Sequence, residues 1–309
     1  MNPSDISAES GSRNHPKLSK TLAWNGVFLQ VPEAWEISGI ERNHMIVSQE
    51  DLPKIELTWM QKPSRAPLEK VVKRFIAVSQ KQLGITITEQ AAREGTQSPH
   101  PTMDLFFFEW TDGNRTGNGV LIHCNHCHRL TILRIYSRVN WISPSLYSSI
   151  LDSFRDHFES EETRWSVFGL KLSLPESMDL KSFAFNPGYF RLDFTQQKSR
   201  ITLYSWGPAT FLLSGESLES FVRKHIQLPD HGLLKPMDSD FPELFWEFHP
   251  PLLPGHSLPF KLNRPDRLTL CRVTHDKPAN RILGILIEAP GPLAHDLLKQ
   301  VNVDISART

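Results

Sequence analysis

Cysteine is scarce in this chain, with three in 309 residues and two of them only three positions apart. That excludes a disulfide framework of the kind that staples small secreted domains. Neither sign of charge is in excess: 34 Lys plus Arg stand against 34 Asp plus Glu, with no Lys/Arg-rich stretch. A polyanion binder working through bulk electrostatics is therefore not expected, and no nucleic-acid partner is assigned. No run approaches the roughly 18 consecutive apolar residues of a membrane span. Residues 1–20 are polar and lack the apolar segment of a signal peptide or lipoprotein leader, so a flexible tail is expected there. Also missing are a Gly-rich phosphate loop after a strand, a Gly-x-Ser-x-Gly elbow and a His-Glu-x-x-His pair. The expected compartment is the cytoplasm.

What the chain has is core material, 39% hydrophobic residues with 18 Phe and 8 Trp, and a repeat. The period is about 147 residues, too long for a solenoid, so it marks duplicated domains. Gly26-Val27-Phe28-Leu29-Gln30-Val31-Pro32-Glu33 is answered by Gly169-Leu170-Lys171-Leu172-Ser173-Leu174-Pro175-Glu176. Lys54–Leu57 is answered by Arg200–Leu203, Leu68–Ile76 by Leu218–Ile226, and Leu105–Trp110 by Leu244–Phe248. Cys124 falls opposite Cys271, and Ile150-Leu151 opposite Leu297-Leu298.

Alternating apolar residues predict six strands per copy. In the first they lie near Gly26–Val31, His44–Ser48, Ile55–Trp59, Leu105–Trp110, Gly119–Cys124 and Leu130–Tyr136. In the second they lie near Gly169–Leu174, Tyr189–Phe194, Ile201–Ser205, Leu244–Phe248, Leu268–Val273 and Ile282–Glu288. The helical period appears twice per copy, at Leu68–Phe75 and Leu146–Phe154, then at Leu218–His225 and Leu293–Val301. Strands that follow one another without helical crossovers imply a mainly antiparallel sheet. The expected fold class is α+β: two similar domains from an internal duplication, each a sheet with helices packed on one face.

The opening strand that ends in Val31-Pro32-Glu33-Ala34-Trp35 resembles the start of domains with the PsbP/DcrB-like fold, as does the order of elements after it. The second copy departs from this motif, with Met178 in place of Trp35. On this resemblance the chain divides into a tail (1–20), a first PsbP/DcrB-like domain (21–160) and a second (161–309). Members of that fold are mostly non-catalytic, and the resemblance implies a binding or accessory role. It transfers no site residue.

The sharpest local feature is His123-Cys124-Asn125-His126-Cys127-His128-Arg129 at a hairpin tip. Two Cys separated by two residues can hold one metal from two sides, as in a zinc knuckle. A closed tetrahedral site needs four ligands, and the chain has no second Cys pair. His123 and His128 are the candidate completing ligands, with His100 or a second chain as alternatives. A buried structural Cys124 followed by a polar turn accounts for the same residues, and a redox dithiol is a third reading. No catalytic residue is recognisable.

The leading functional expectation is a non-catalytic cytoplasmic binding or assembly protein, a chaperone or accessory subunit. Its two paired sheet domains would form an intramolecular pseudo-dimer that recognises a protein or peptide. The alternatives are a zinc-binding protein using Cys124 and Cys127, and an enzyme with a site between the domains. The dense aromatic runs Leu105–Trp110 and Phe241–Phe248 are either packed central strands or an open apolar groove. The loops at 90–102 and 249–265 are the stretches expected to carry contacts.

Overall fold

The computed structural model describes residues 17–61, 67–91, 101–136, 142–157, 162–228, 233–237, 243–248 and 267–305. The chain divides into two units, Met1–His157 and Phe158–Thr309.

The first unit opens with a hairpin of β1 (Leu18–Trp24) and β2 (Val27–Pro32). Then come β3 (Glu36–Glu41), β4 (His44–Gln49), β5 (Leu52–Gln61), α1 (Leu68–Leu83) and β6 (Thr86–Glu89). β7 (Met103–Thr111), β8 (Thr116–Cys124), β9 (Arg129–Tyr136) and α2 (Pro144–Ser153) complete it. Seven of these strands form one antiparallel sheet in the order β3-β4-β5-β9-β8-β7-β6. Val71 and Phe75 of α1 share a buried cluster with Phe106, Phe108 and Trp110 of β7 and with Leu121 of β8. α1 stops at Gly84, whose φ of 65° is left-handed and whose N–H donates to Ser79 O, a glycine helix end.

The second unit repeats the plan with β10 (Glu162–Val167), β11 (Leu170–Pro175), β12 (Asp179–Asn186), β13 (Tyr189–Gln196) and β14 (Ser199–Trp206). Next are α3 (Ala209–Leu212), α4 (Leu218–His225), β15 (Leu233–Met237) and β16 (Glu243–Phe248). β17 (Arg267–Asp276), β18 (Arg281–Pro290), α5 (Gly291–Gln300) and β19 (Asn302–Ile305) close it. Its seven-stranded sheet runs β12-β13-β14-β18-β17-β16-β15, the same order as in the first unit. β19 pairs with β11 over four residues, Leu170↔Ile305 to Ser173↔Asn302.

The expectation of an α+β class is overturned. Strands hold 56% of the described residues and helices 21%, in antiparallel sheets, so the protein is mostly β. The physical reason lies in strands that lack clear alternation. β12 (DLKSFAFN) exposes residues on both faces, β10 (ETRWSV) buries only Trp165 and Val167, and β1, β3, β6, β15 and β19 were likewise not expected. The helices are short, with α3 one turn of four residues and α4 eight residues. Of the expected tail, residues 1–16 lie outside the described residues and Leu18–Lys20 begin β1. The loops expected at 90–102 and 249–265, with His100, lie wholly or largely outside them too.

Strand register also corrects one equivalence. Ile55 pairs with Ile135 and Ile201 with Ile287, so these four residues occupy matching places. Counting from them, Cys271 answers Gly119 and Cys124 is answered by Asp276. The packing agrees, since Phe108 faces Gly119 across the ladder and Trp246 faces Cys271. In each copy a large buried aromatic stands opposite a small residue.

Candidate functional site

Cys124 ends β8, and Asn125, His126 and Cys127 turn the chain toward β9. This tip is anchored by Asn125 N, which donates to Thr102 O at 2.8 Å, and by Cys127 N, which donates to Cys124 Sγ at 3.5 Å. A second segment reaches the same place from the end of the unit. α2 begins at Ser143, whose Oγ accepts from Leu146 N, and buries Leu146, Tyr147, Ile150 and Leu151. Phe154, fully buried, stops the helix, and Arg155 makes a two-way backbone bridge with Phe28. The next two residues, Asp156 and His157, then meet the thiols.

The donor atoms of Cys124, Cys127, Asp156 and His157 all lie within 4.8 Å of one another. Cys124 Sγ is 3.7 Å from His157 Nδ1, Cys127 Sγ is 3.3 Å from Asp156 Oδ2, and Asp156 Oδ1 is 2.7 Å from His157 Nδ1. The Asp156 side chain is only 1% exposed and that of His157 19%. Burial, and then the Asp156 carboxylate, push the Cys127 thiol up to about 12. The backbone here is held by Arg129, whose Nη1 donates to Asp156 O at 2.6 Å and also to Gly26 O. The His126 ring stacks on that of His157 at 4.8 Å.

Of the four metal ligands expected from sequence, the structure brings Cys124 and Cys127 together and leaves His123 and His128 out. His123 is adjacent to Cys124 in β8, so the pleat sends it to the opposite face. There it is buried, with Nδ1 4.0 Å from Asp104 Oδ2. His128 sits in the turn with a φ of 58°. Asp156 and His157 were missed because they follow a helix, about 30 residues beyond the motif. A signal existed in the repeat. Aligning α2 with α5 sets Asp156 against Val303 and His157 against Asp304, in the strand β19 that pairs with β11. Where the second copy continues as a ladder, the first makes one bridge and turns toward the thiols.

A second place distinguishes the copies, at the tip of the first hairpin of each large sheet. Both hairpins carry an irregularity at the same point, between Ile37 and Gly39 in one and between Leu180 and Ser182 in the other. Beyond it β12–β13 runs two residues further on each strand than β3–β4. That extension places Phe185 directly opposite Phe190. Phe183 lies on the same face, 5.6 Å from Phe185, and Phe168 packs at 4.8 Å from Phe185 and 5.6 Å from Phe190. All four rings are half-buried, and Arg281 lies over Phe190 at 5.1 Å. In the first unit the position of Phe168 is held by Asn25, which donates to Arg42 O and Asn43 Oδ1. A polar tie in one copy is an aromatic patch in the other.

The run Leu105–Trp110 proves to be packed strand, with Phe106, Phe108 and Trp110 in the buried cluster under α1 and Leu105 and Phe107 half-buried on the other face. No helix among the described residues is long and apolar enough to cross a membrane.

No protein-family model matches the chain, and no curated protein matches it. Among solved structures it is similar to the apo immunity protein TplEi of the T6SS from Pseudomonas aeruginosa. The identity is 9% and the TM-score 0.31, over 94% of this chain and 97% of that one. It is also similar to MucB in its complex with MucA(peri), at 9% identity and a TM-score of 0.20, over 91% of this chain and 83% of that one. At such scores no residue role or partner is carried over, and neither protein is named as a PsbP or DcrB protein.

Proposed function

We propose that this chain is a non-catalytic recognition protein that binds a protein or peptide, with the aromatic corner of the second unit as its contact surface. The observation that carries this reading is the extended β12–β13 hairpin with Phe168, Phe183, Phe185 and Phe190 on one face. A duplicated fold can keep its core and diverge at its surface. Here the second unit's hairpin is the longer one, and phenylalanine stands where the first unit has a hydrogen-bonded asparagine. Aromatic side chains grouped at a surface are the usual energetic centre of a protein interface. Zero net charge adds that shape and apolar contact, rather than long-range attraction, select the partner. Three free thiols fit a reducing compartment, and the cytoplasm is the proposed one.

The test is isolation of the tagged chain from its own cells, with partners identified by mass spectrometry, beside the double variant Phe183→Ser, Phe185→Ser. A specific partner retained by the wild type and weakened on the order of tenfold or more in the variant is the expected result. The variant should remain folded, with an unchanged far-ultraviolet circular dichroism spectrum. A monomer that retains nothing, or a partner indifferent to the variant, would overturn the reading.

A further inference from the structure

We propose that Cys124, Cys127, Asp156 and His157 form a closed, structural zinc site that pins the last residues of the first unit to the β8–β9 tip. The proposal is independent of the recognition surface, which lies in the other unit.

The donor set selects the metal. Two thiolates disfavour calcium and magnesium, which take oxygen ligands, and two sulfurs with one nitrogen and one oxygen suit zinc. Around a tetrahedral zinc with bonds of about 2.0–2.3 Å, donor atoms stand about 3.3–3.8 Å apart. The Cys124–His157 separation of 3.7 Å and the Cys127–Asp156 separation of 3.3 Å already fall in that range. The Asp156–His157 pair, at 2.7 Å, has to open by about half an ångström, and the remaining donors, all within 4.8 Å of one another, have to draw in to the same spacing.

Nδ1 is the histidine atom that faces the cluster, which fixes the ligating nitrogen. Four protein donors fill a tetrahedral shell and leave no position for water or substrate, so the site is structural and not catalytic. Binding displaces the two thiol protons to solvent, and the Asp156 carboxylate gains a cation in place of a thiol hydrogen bond.

The surroundings are built for it. Asp156 is a buried carboxylate, which costs stability unless paired. Its main chain is fixed by Arg129 and the residue before it by the Phe28 bridge. The second copy keeps the hairpin and the closing helix but has Asp276, Val303 and Asp304 in place of Cys124, Asp156 and His157.

Metal analysis of the purified full chain, with X-ray absorption at the zinc edge, tests the proposal on the wild type alone. The expected result is one zinc per chain with two sulfur neighbours at about 2.3 Å and two nitrogen or oxygen neighbours at about 2.0–2.1 Å. Zinc should be lost from Cys127→Ser and His157→Ala and kept by His123→Ala and His128→Ala. A chelator should lower the thermal midpoint of the wild type and leave that of Cys127→Ser unmoved. Absence of zinc after loading, a shell with a different number of sulfurs, or zinc lost from His123→Ala or His128→Ala would each overturn it.

Discussion

Asp193 is 3% exposed and still accepts four hydrogen bonds, from Ser182 Oγ, Arg191, Arg200 and Thr202 Oγ1 at 2.7–3.0 Å. Burial alone would raise its carboxyl, but those donors outweigh it and hold it near 2, below an ordinary value of 3.8. A carboxyl depressed in the folded state contributes stability that is fully present above the unfolded value and is lost as pH falls through the folded one. The gap amounts to about 2 kcal/mol. Asp193→Asn should therefore lower the urea-derived stability at pH 7 by about 1–3 kcal/mol. The deficit relative to wild type should shrink as pH drops from about 4 toward 2, read from urea midpoints across that range. None of this was legible in the sequence, because the four donors come from three strands and only register brings them to one carboxylate. Cys124 and Cys127 were legible for the opposite reason: their spacing is local. Asp156 and His157 depend on where a helix ends, and His123 stands apart from the cluster because strand neighbours face opposite ways.

Among the elements, β7 and β8 show how the duplicated plan is packed. A Cβ built on Gly119 would stand 2.3 Å from the Phe108 ring, so the glycine makes room for the aromatic across the ladder. Gly119→Ala should destabilise by about 1–3 kcal/mol, the usual cost of overpacking a core. Adding Phe108→Leu should recover part of that loss, and a double-mutant cycle by chemical denaturation measures the coupling. If the two changes simply add, the contact is not what fixes the glycine. β2, β5 and β9 were readable from apolar alternation, and β8 from an apolar run buried on both faces from Gly119 to Cys124. Strands such as β12 escaped, since Phe183 and Phe185 alternate with exposed or small residues on a face that is only half covered. That is also why the aromatic corner went unseen: period and composition do not report that a hairpin has grown by two residues a side.

For the whole molecule, the copies share a sheet order and differ in what they carry, the Cys124–Cys127 cluster in one and the Phe168–Phe190 corner in the other. Zinc added to the metal-free chain should accordingly act on the first unit alone. Hydrogen exchange read by mass spectrometry should slow at 124–129 and 154–157. It should not change at the corresponding places of the second unit, 276–281 and 301–304. A uniform slowing across both units would mean that the ion acts on the chain in some other way.

Gly26 has a φ of 81°, and a Cβ there would lie 2.6 Å from the Arg129 guanidinium, the group that also holds the Asp156 carbonyl. Any side chain at position 26 evicts that guanidinium. A genetic screen for defective zinc occupancy would then return this position, which bears no ligand and lies about a hundred residues from the first cysteine. The lesion would look like a loop mutation in the primary structure and behave like the loss of a carboxylate.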